Sequence, residues 1–513
     1  MVYVAIEGCC HGELNTIYET LAKIESSQGI SVDLLICCGD FQKKFRNFLM
    51  HSVKKKLSSF NRKTVRTAQD LECLTCPPKY RTLHDFHLYY SGKRKAPILT
   101  LFIGGNHEAP HVLKEFLSYS QYSFEKILLY YGGWVAPNIF YLGHSGVVNV
   151  GGIRIAALSG IFKGKDYSRG YYETLPYTED SRRSAYHIRE FEIQKLSMIT
   201  GPVDIMITHD WPRGIEKYGN WQSLIRRKPH FKEEIMTQTF GNPVTWNLVT
   251  QLKPKFWFSA HLHVKFAAFV PHSEFQATRF LALDKVLPGR SYMQLLNLTS
   301  SQRGYTVVTP SDVNSRKKSL RIAYDSEWMA ILKATHRNLP VGYTYPKSQL
   351  IEPSNDDILS MEMHLSTLCA ADTSSNDLHA YWPSWEEYSH TDLAAQREYF
   401  LKVLGVPMRG NLASDERNSP KVAAATYQEG VSNEEEIDIN VDVLLSMEVS
   451  NTTPVNSIPP EKDEITIDVD TFLTNIEDST SSAIILSSGK ETCCAEMDAL
   501  QVHTDISNSS ISE

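Results

Sequence analysis

Val32-Asp-Leu-Leu-Ile-Cys-Cys-Gly-Asp40 is the stretch from which the rest of the chain can be read. Its near-continuous apolar run suits a strand buried on both faces, the habit of parallel sheets. It closes on Gly39-Asp40, a polar turn. Upstream, residues 2–6 are β-rich and end in Gly8-Cys-Cys-His-Gly12. Between the two, Leu14, Ile17, Leu21 and Ile24 keep one apolar face at helical spacing. Strand, helix and strand in that order suggest a parallel pair. The same grammar recurs at 98–103 before Gly104-Gly-Asn-His107, at 153–158, at 203–208 before His209, and at 256–259 before Ala260-His261. In open α/β sheets ligands gather beyond the carboxyl ends of strands. These strand-end residues are therefore expected to converge on one site.

The chain has 513 residues, with Lys+Arg 52 against Asp+Glu 59 and a net charge of −7. That average hides a division. From Asn411 to Glu513 there are 21 acids and 4 bases, a net of −17, leaving 48 bases and 38 acids, a net of +10, in the first 410 residues. Of the 54 aromatics, only Tyr427 and Phe472 lie beyond Asn411. A segment so acidic and so poor in large apolar groups is expected to be disordered. The expected organisation is a catalytic domain over 1–300, a small helical C-terminal extension over 301–410, and an acidic disordered tail over 411–513 that could engage a protein partner. A wholly disordered or fibrous chain is excluded. No stretch of about 18 apolar residues occurs, so no membrane span is expected. The N-terminus lacks a basic region and meets Glu7 early, unlike a secretion signal. The cysteines fall largely in doublets, Cys9-Cys10, Cys37-Cys38 and Cys493-Cys494, with Cys73, Cys76 and Cys369 single. That is a poor disulfide framework and fits a reducing compartment.

Read in order, the strand ends offer Cys9-x-His11, Gly39-Asp40, Gly105-Asn-His-Glu108, His209 and His261-x-His263. This ordered set resembles the calcineurin-like metallophosphoesterase superfamily, with its D-x-H, G-D, G-N-H-[DE], lone His and G-H-x-H blocks. The resemblance implies an α/β fold: a β-sandwich of two mixed sheets flanked by helices. It also implies two divalent cations. Such a pair, about 4 Å apart, clamps a phosphodiester and generates a hydroxide at neutral pH. One ion would take Cys9, His11, Asp40 and His263; the other would take Asp40, Asn106, His209 and His261, with Asp40 bridging. His107 would face the reacting phosphate rather than a metal, as catalytic acid or charge stabiliser.

Two departures are informative. Ala260 stands where the last block usually has Gly. Cys9 stands where the superfamily usually has Asp, and a thiolate biases that position towards Zn or Fe over Mg. Cys at that position, with Gly132-Gly-Trp-Val-Ala-Pro-Asn138, Leu158-Ser-Gly-Ile-Phe-Lys-Gly164, His209-Asp-Trp-Pro212 and Leu283-Asp-Lys285, is similar to the lariat debranching enzymes of that superfamily. The likeness is dense over residues 1–300, loose over 300–410 and absent from the tail. It implies hydrolysis of the 2′–5′ phosphodiester at the branch point of excised intron lariats, hence lariat RNA as partner and the nucleus as location. Fe(II) and Zn(II) are the expected ions, with Mn(II) supporting activity. The rival readings are a phosphatase or cyclic-nucleotide phosphodiesterase on the same scaffold, and a non-catalytic protein scaffold.

The remaining residues read less sharply. Trp134 can stack a base or plug a hydrophobic loop. Lys163, Lys165, Tyr167 and Arg169 form a turn that can hold phosphates or stay solvated. Lys54-Lys-Lys56 and Arg316-Lys-Lys318 read as solvated faces. Cys10, Cys37 and Cys38 read as packing. Cys73-x-x-Cys76 has no second pair with which to make a zinc site. Histidines outside the blocks, such as His84, His144 and His230, read as ordinary. Ser419-Pro420 is a weak phosphorylation signal, and the oligomeric state is left open.

Overall fold

A computed structural model describes residues 2–41, 84–108, 131–173, 177–298, 320–340, 342–344, 350–370, 382–383 and 393–406. Lys54-Lys-Lys56, Cys73, Cys76, Arg316-Lys-Lys318 and the acidic segment from Asn411, with Ser419-Pro420, lie outside the described residues.

Among the described residues thirteen strands build two mixed sheets, the architecture that the family resemblance implies. The first contains β1 (Val2–Glu7), β2 (Leu34–Cys37), β3 (Leu99–Phe102), β4 (Gly133–Ala136), β5 (Ile139–Tyr141) and β12 (Met293–Leu298), in the order β12-β1-β2-β3-β5-β4. The second contains β6 (Ser145–Val150), β7 (Ile153–Leu158), β8 (Ile205–Thr208), β9 (Phe256–Ser259), β10 (Phe266–Ser273), β11 (Gln276–Ala282) and β13 (Ile322–Tyr324), in the order β10-β11-β9-β8-β7-β6-β13. β1, β2 and β3 run parallel, as do β7, β8, β9 and β11. Their carboxyl ends carry the residues singled out above.

Side chains alternate across each strand. Val4 and Ile6 of β1 join Ile36, Ile155, Ile205, Ile207 and Trp257 in the core between the sheets. Ala5, on the opposite face of β1, packs with Leu35, Leu14, Ile17 and Leu21. The last three come from the helix Leu14–Gln28, which ends on Gly29 in the left-handed conformation. β2 is buried at every position because helix covers one face and sheet the other.

The C-terminal segment completes this framework. β13 adds to the second sheet beside β6. The helix Ser326–Thr335 follows, N-capped by the Asp325 carboxylate, which accepts the Trp328 N–H at 2.9 Å. The helix Leu393–Leu404 brings Gln396 against β4, the edge of the first sheet. The Gln396 carboxamide accepts the Trp134 N–H at 3.1 Å and donates to the Trp134 carbonyl at 3.3 Å. An edge strand that would otherwise offer unpaired backbone groups is thereby covered. No helix among the described residues is long and apolar enough to cross a membrane.

Candidate metal centre

Five loops bring the candidate ligands together: those after β1 (Cys9, His11), β2 (Asp40), β3 (Asn106, His107), β8 (His209) and β9 (His261, His263). The turns that aim these side chains are unusual. His11, Asp40, His261 and His263 have φ of 48°, 45°, 58° and 51°. Non-glycine residues seldom occupy this left-handed region, and such strain concentrates at functional sites. Two glycines allow the loops to close. A Cβ on Gly39 would lie 2.2 Å from His209 Nδ1, and one on Gly105 would lie 2.2 Å from Asp40 Oδ1. Ala260 keeps an ordinary φ, and its carbonyl accepts the Trp211 indole N–H at 2.8 Å, so no glycine is needed there.

One donor set is Cys9, His11, Asp40 and His263, whose ligand atoms all lie within 4.8 Å of one another. The Nε2 atoms of His11 and His263 are 3.0 Å apart. A second set gathers on the other oxygen of Asp40: His209 Nε2 is 3.4 Å from Asp40 Oδ1 and 3.2 Å from Asn106 Oδ1. The His261 ring stands 5.0 Å from that of His209, centroid to centroid. Ligands bound to one ion at about 2.1 Å stand about 3.0–3.4 Å apart, the spacing shown by His11 with His263 and by His209 with Asp40 and Asn106. Asp40 is buried, and its Oδ2 has no hydrogen-bond partner among the described residues. A buried carboxylate oxygen left without a donor is costly unless a charge completes it. The donor set of thiol, imidazole, carboxylate and amide suits borderline divalent cations.

The electrostatics fit the same reading. Burial would raise the Asp40 carboxyl, but the His209, His107 and His261 imidazoles and the His107 N–H outweigh it and hold it below the usual carboxylate range. Burial takes His209 down to about 4, against the pull of Asp40. Its ring is therefore neutral near pH 7, as a ligand must be. Nδ1–H of His209 donates to the Cys38 carbonyl at 2.8 Å, which leaves the Nε2 lone pair facing the site. Burial, then Asp40 and Glu7, push the Cys9 thiol well up, while the His261 N–H donated to Sγ at 3.2 Å opposes them. Such a thiol keeps its proton until a cation displaces it.

His107 is placed by its own backbone. Its N–H donates to Asp40 Oδ1 at 3.0 Å, and its ring lies 5.7 Å from that of His11. Glu108, quoted in the sequence block but given no role there, is buried and accepts the N–H groups of Phe41 at 2.7 Å and Gly105 at 3.2 Å on one oxygen. It ties the Asp40 loop to the Asn106 loop. The signal in the sequence is an acid placed directly after the Asn-His pair.

The candidate RNA contacts Trp134, Lys163, Lys165, Tyr167 and Arg169 have partners of their own within the protein. Trp134 is a correction: it is only 6% exposed, its indole N–H donates to the Pro383 carbonyl at 2.7 Å, and it meets Phe140 edge-on. It is the hydrophobic plug, and it offers no face to a base. The Arg169 guanidinium pairs with Asp166 at 2.8 Å and lies over the Tyr343 ring at 4.6 Å. Asp166 is in turn locked by His187 Nδ1 at 2.6 Å. Lys165 pairs with Asp180 at 2.5 Å. Tyr167 packs on Phe162 and the core, and Lys163 stands at the N-cap position of the short helix Gly164–Tyr167 without a side-chain capping bond. The turn reads as a self-braced unit.

The family model for calcineurin-like phosphoesterases matches residues 2–265 of the chain, and that for the C-terminal domain of lariat debranching enzyme matches residues 275–378. The chain is 45% identical over 337 residues to lariat debranching enzyme A of Xenopus laevis, covering 65% of this chain and 54% of that protein. It is 42% identical over 395 residues to the lariat debranching enzyme of Homo sapiens, covering 76% and 59%. With the lariat debranching enzyme of Arabidopsis thaliana the identity is 41% over 343 residues, covering 67% and 70%. The chain thus spans little more than half the length of the vertebrate relatives it matches.

Proposed function

The chain belongs to the lariat debranching enzyme family of the calcineurin-like phosphoesterases, and on that premise we propose that it is a metal-dependent RNA phosphodiesterase that hydrolyses the 2′–5′ bond at the branch point of excised intron lariats. The observation that carries this reading is Asp40, whose two oxygens face two separate donor sets. Cys9, His11, Asp40 and His263 would hold one divalent ion, and Asp40, Asn106, His209 and His261 the other. Bound there, the ions would neutralise developing phosphoryl charge and lower the pKa of the attacking water. The soft sulfur of Cys9 favours Fe(II) or Zn(II) over Mg(II), with Mn(II) able to substitute.

The protein's own groups do the rest. The His209 Nδ1–H bond to Cys38 fixes a ligand tautomer before substrate arrives. Glu108 holds the Asp40 and Asn106 loops in register. His107, steadied through its N–H on Asp40, presents its imidazole beside the reacting phosphate. As water attacks phosphorus in line, the bond to the branch 2′-oxygen breaks and that oxygen takes a proton from the imidazole. The products are a linear intron with a 5′-phosphate and a free 2′-hydroxyl. Action on excised introns implies residence in the nucleus.

The test offers the purified full chain a branched RNA, a linear RNA and p-nitrophenyl phosphate, with Mn(II), Fe(II) or Zn(II) supplied. Cleavage confined to the branch is expected. Turnover of the small ester alone would point to a general phosphatase, and inactivity under every metal and reductant to a scaffold.

A further inference from the structure

The flank of the site beside Cys9 is built by the turn that follows β11. Cys9 N–H donates to the Asp284 carbonyl and Val286 N–H donates to the Cys9 carbonyl, both at 3.3 Å, and Cys9 and Lys285 form an isolated parallel bridge. Lys285 thus stands in backbone register with a candidate ligand. Its neighbour Asp284 is engaged elsewhere: Oδ1 accepts the N–H of Lys285 itself at 2.7 Å, and Oδ2 is 3.4 Å from the Arg290 guanidinium. Among the described residues no carboxylate lies within ion-pair distance of the Lys285 ammonium, although the side chain is partly buried. Burial holds that ammonium below the ordinary lysine range in spite of Asp284 and Cys9.

A partly desolvated ammonium with no carboxylate within ion-pair distance, next to a seat for two dications, is favoured by an arriving anion. A branched nucleotide brings such anions, since besides the reacting 2′-phosphate it carries phosphates at its 3′ and 5′ positions. We propose that Lys285 is a subsite for an unreacted phosphate of the branched nucleotide, on the Cys9 side of the centre. This rests on the debranching reading above and moves RNA backbone recognition from the 163–169 turn to the turn at 285.

The test is a cycle of two proteins and two substrates, each with two ions per chain verified by elemental analysis. The substrates are a branched RNA carrying both the 2′ and 3′ arms, and a 2′–5′ dinucleotide that lacks the second phosphate. Lys285→Gln is expected to raise KM for the branched RNA roughly tenfold and to lower the salt dependence of its binding by about one phosphate contact. The same variant should change KM for the dinucleotide far less, and Lys285→Arg should recover most of the loss. Lys23→Ala, a charge removed from the exposed face of the helix Leu14–Gln28, should leave every value unchanged. Equal losses on both substrates, a salt dependence like that of Lys23→Ala, or loss of an ion from Lys285→Gln would overturn the subsite. Failure of the unaltered chain to cleave branched RNA would instead overturn the debranching reading itself.

Discussion

The His107 N–H donates to Asp40 Oδ1, a backbone bond that removal of the side chain leaves in place. His107→Ala is expected to keep both ions and lose about 10²- to 10⁴-fold in turnover, the usual worth of a positioned acid. Equal activity in the variant would remove its role. Asp40 is the opposite case, since both donor sets meet on it. Asp40→Asn should lose both ions by elemental analysis, and unchanged metal content would refute the bridge. The order of residue types along the chain was enough to single out both residues, because spacing of acids, amides and imidazoles after apolar runs survives in one dimension. Trp134 was not legible in that way. An aromatic that follows two glycines reads equally well as a base platform or a core filler, and Pro383 and Gln396, some 250 positions away, decide for the core.

At the level of elements, the docking of the C-terminal segment turns on one buried cluster. Arg154 of β7 makes a fork with Asp325, at 2.7 Å to each oxygen, and also reaches Glu327 at 2.7 Å. The other oxygen of Glu327 accepts the Thr200 hydroxyl and N–H at 2.6 and 2.7 Å. This clamp joins β7, the loop before β8 and the helix Ser326–Thr335. Arg154→Ala leaves two acids without a cation and should cost about 3 kcal/mol, measured as a lower denaturant midpoint. Burial would raise the Glu327 carboxyl, but the Thr200 bonds and then Arg154 hold it below its ordinary value of 4.5. A carboxyl lowered on folding stabilises above its unfolded value, and that contribution is lost as pH falls through the folded value. The chain should therefore lose stability as pH drops below about 4.5, and Glu327→Gln should flatten that acid limb. An unchanged limb would show that Glu327 carries none of it. The helical patterning of 326–333 is plain in the sequence, but nothing there says that the preceding residues become a strand beside β6. Strand partners distant in sequence leave no local mark.

Across the whole molecule, charge and shape are divided between segments. Residues up to 410 carry a net of +10 and those from Asn411 a net of −17. A chain ending at Gly410 should retain branch cleavage, and its RNA binding should weaken with added salt as the basic surface is screened. A folded but inactive truncation would assign the acidic segment a part in catalysis. What the sequence by itself determined was the candidate chemistry and, through its likeness to the calcineurin-like phosphoesterases, the fold class, since near-continuous apolar runs and the ligands at their ends lie within short stretches of chain. What only the tertiary structure decided was which charges are available to a ligand. Arg169 and Lys165 are held by Asp166 and Asp180, whereas Lys285 has no acid within ion-pair distance among the described residues. The physical reason is that a charge is satisfied by whatever folding brings within a few ångströms, and sequence separation carries no information about that distance.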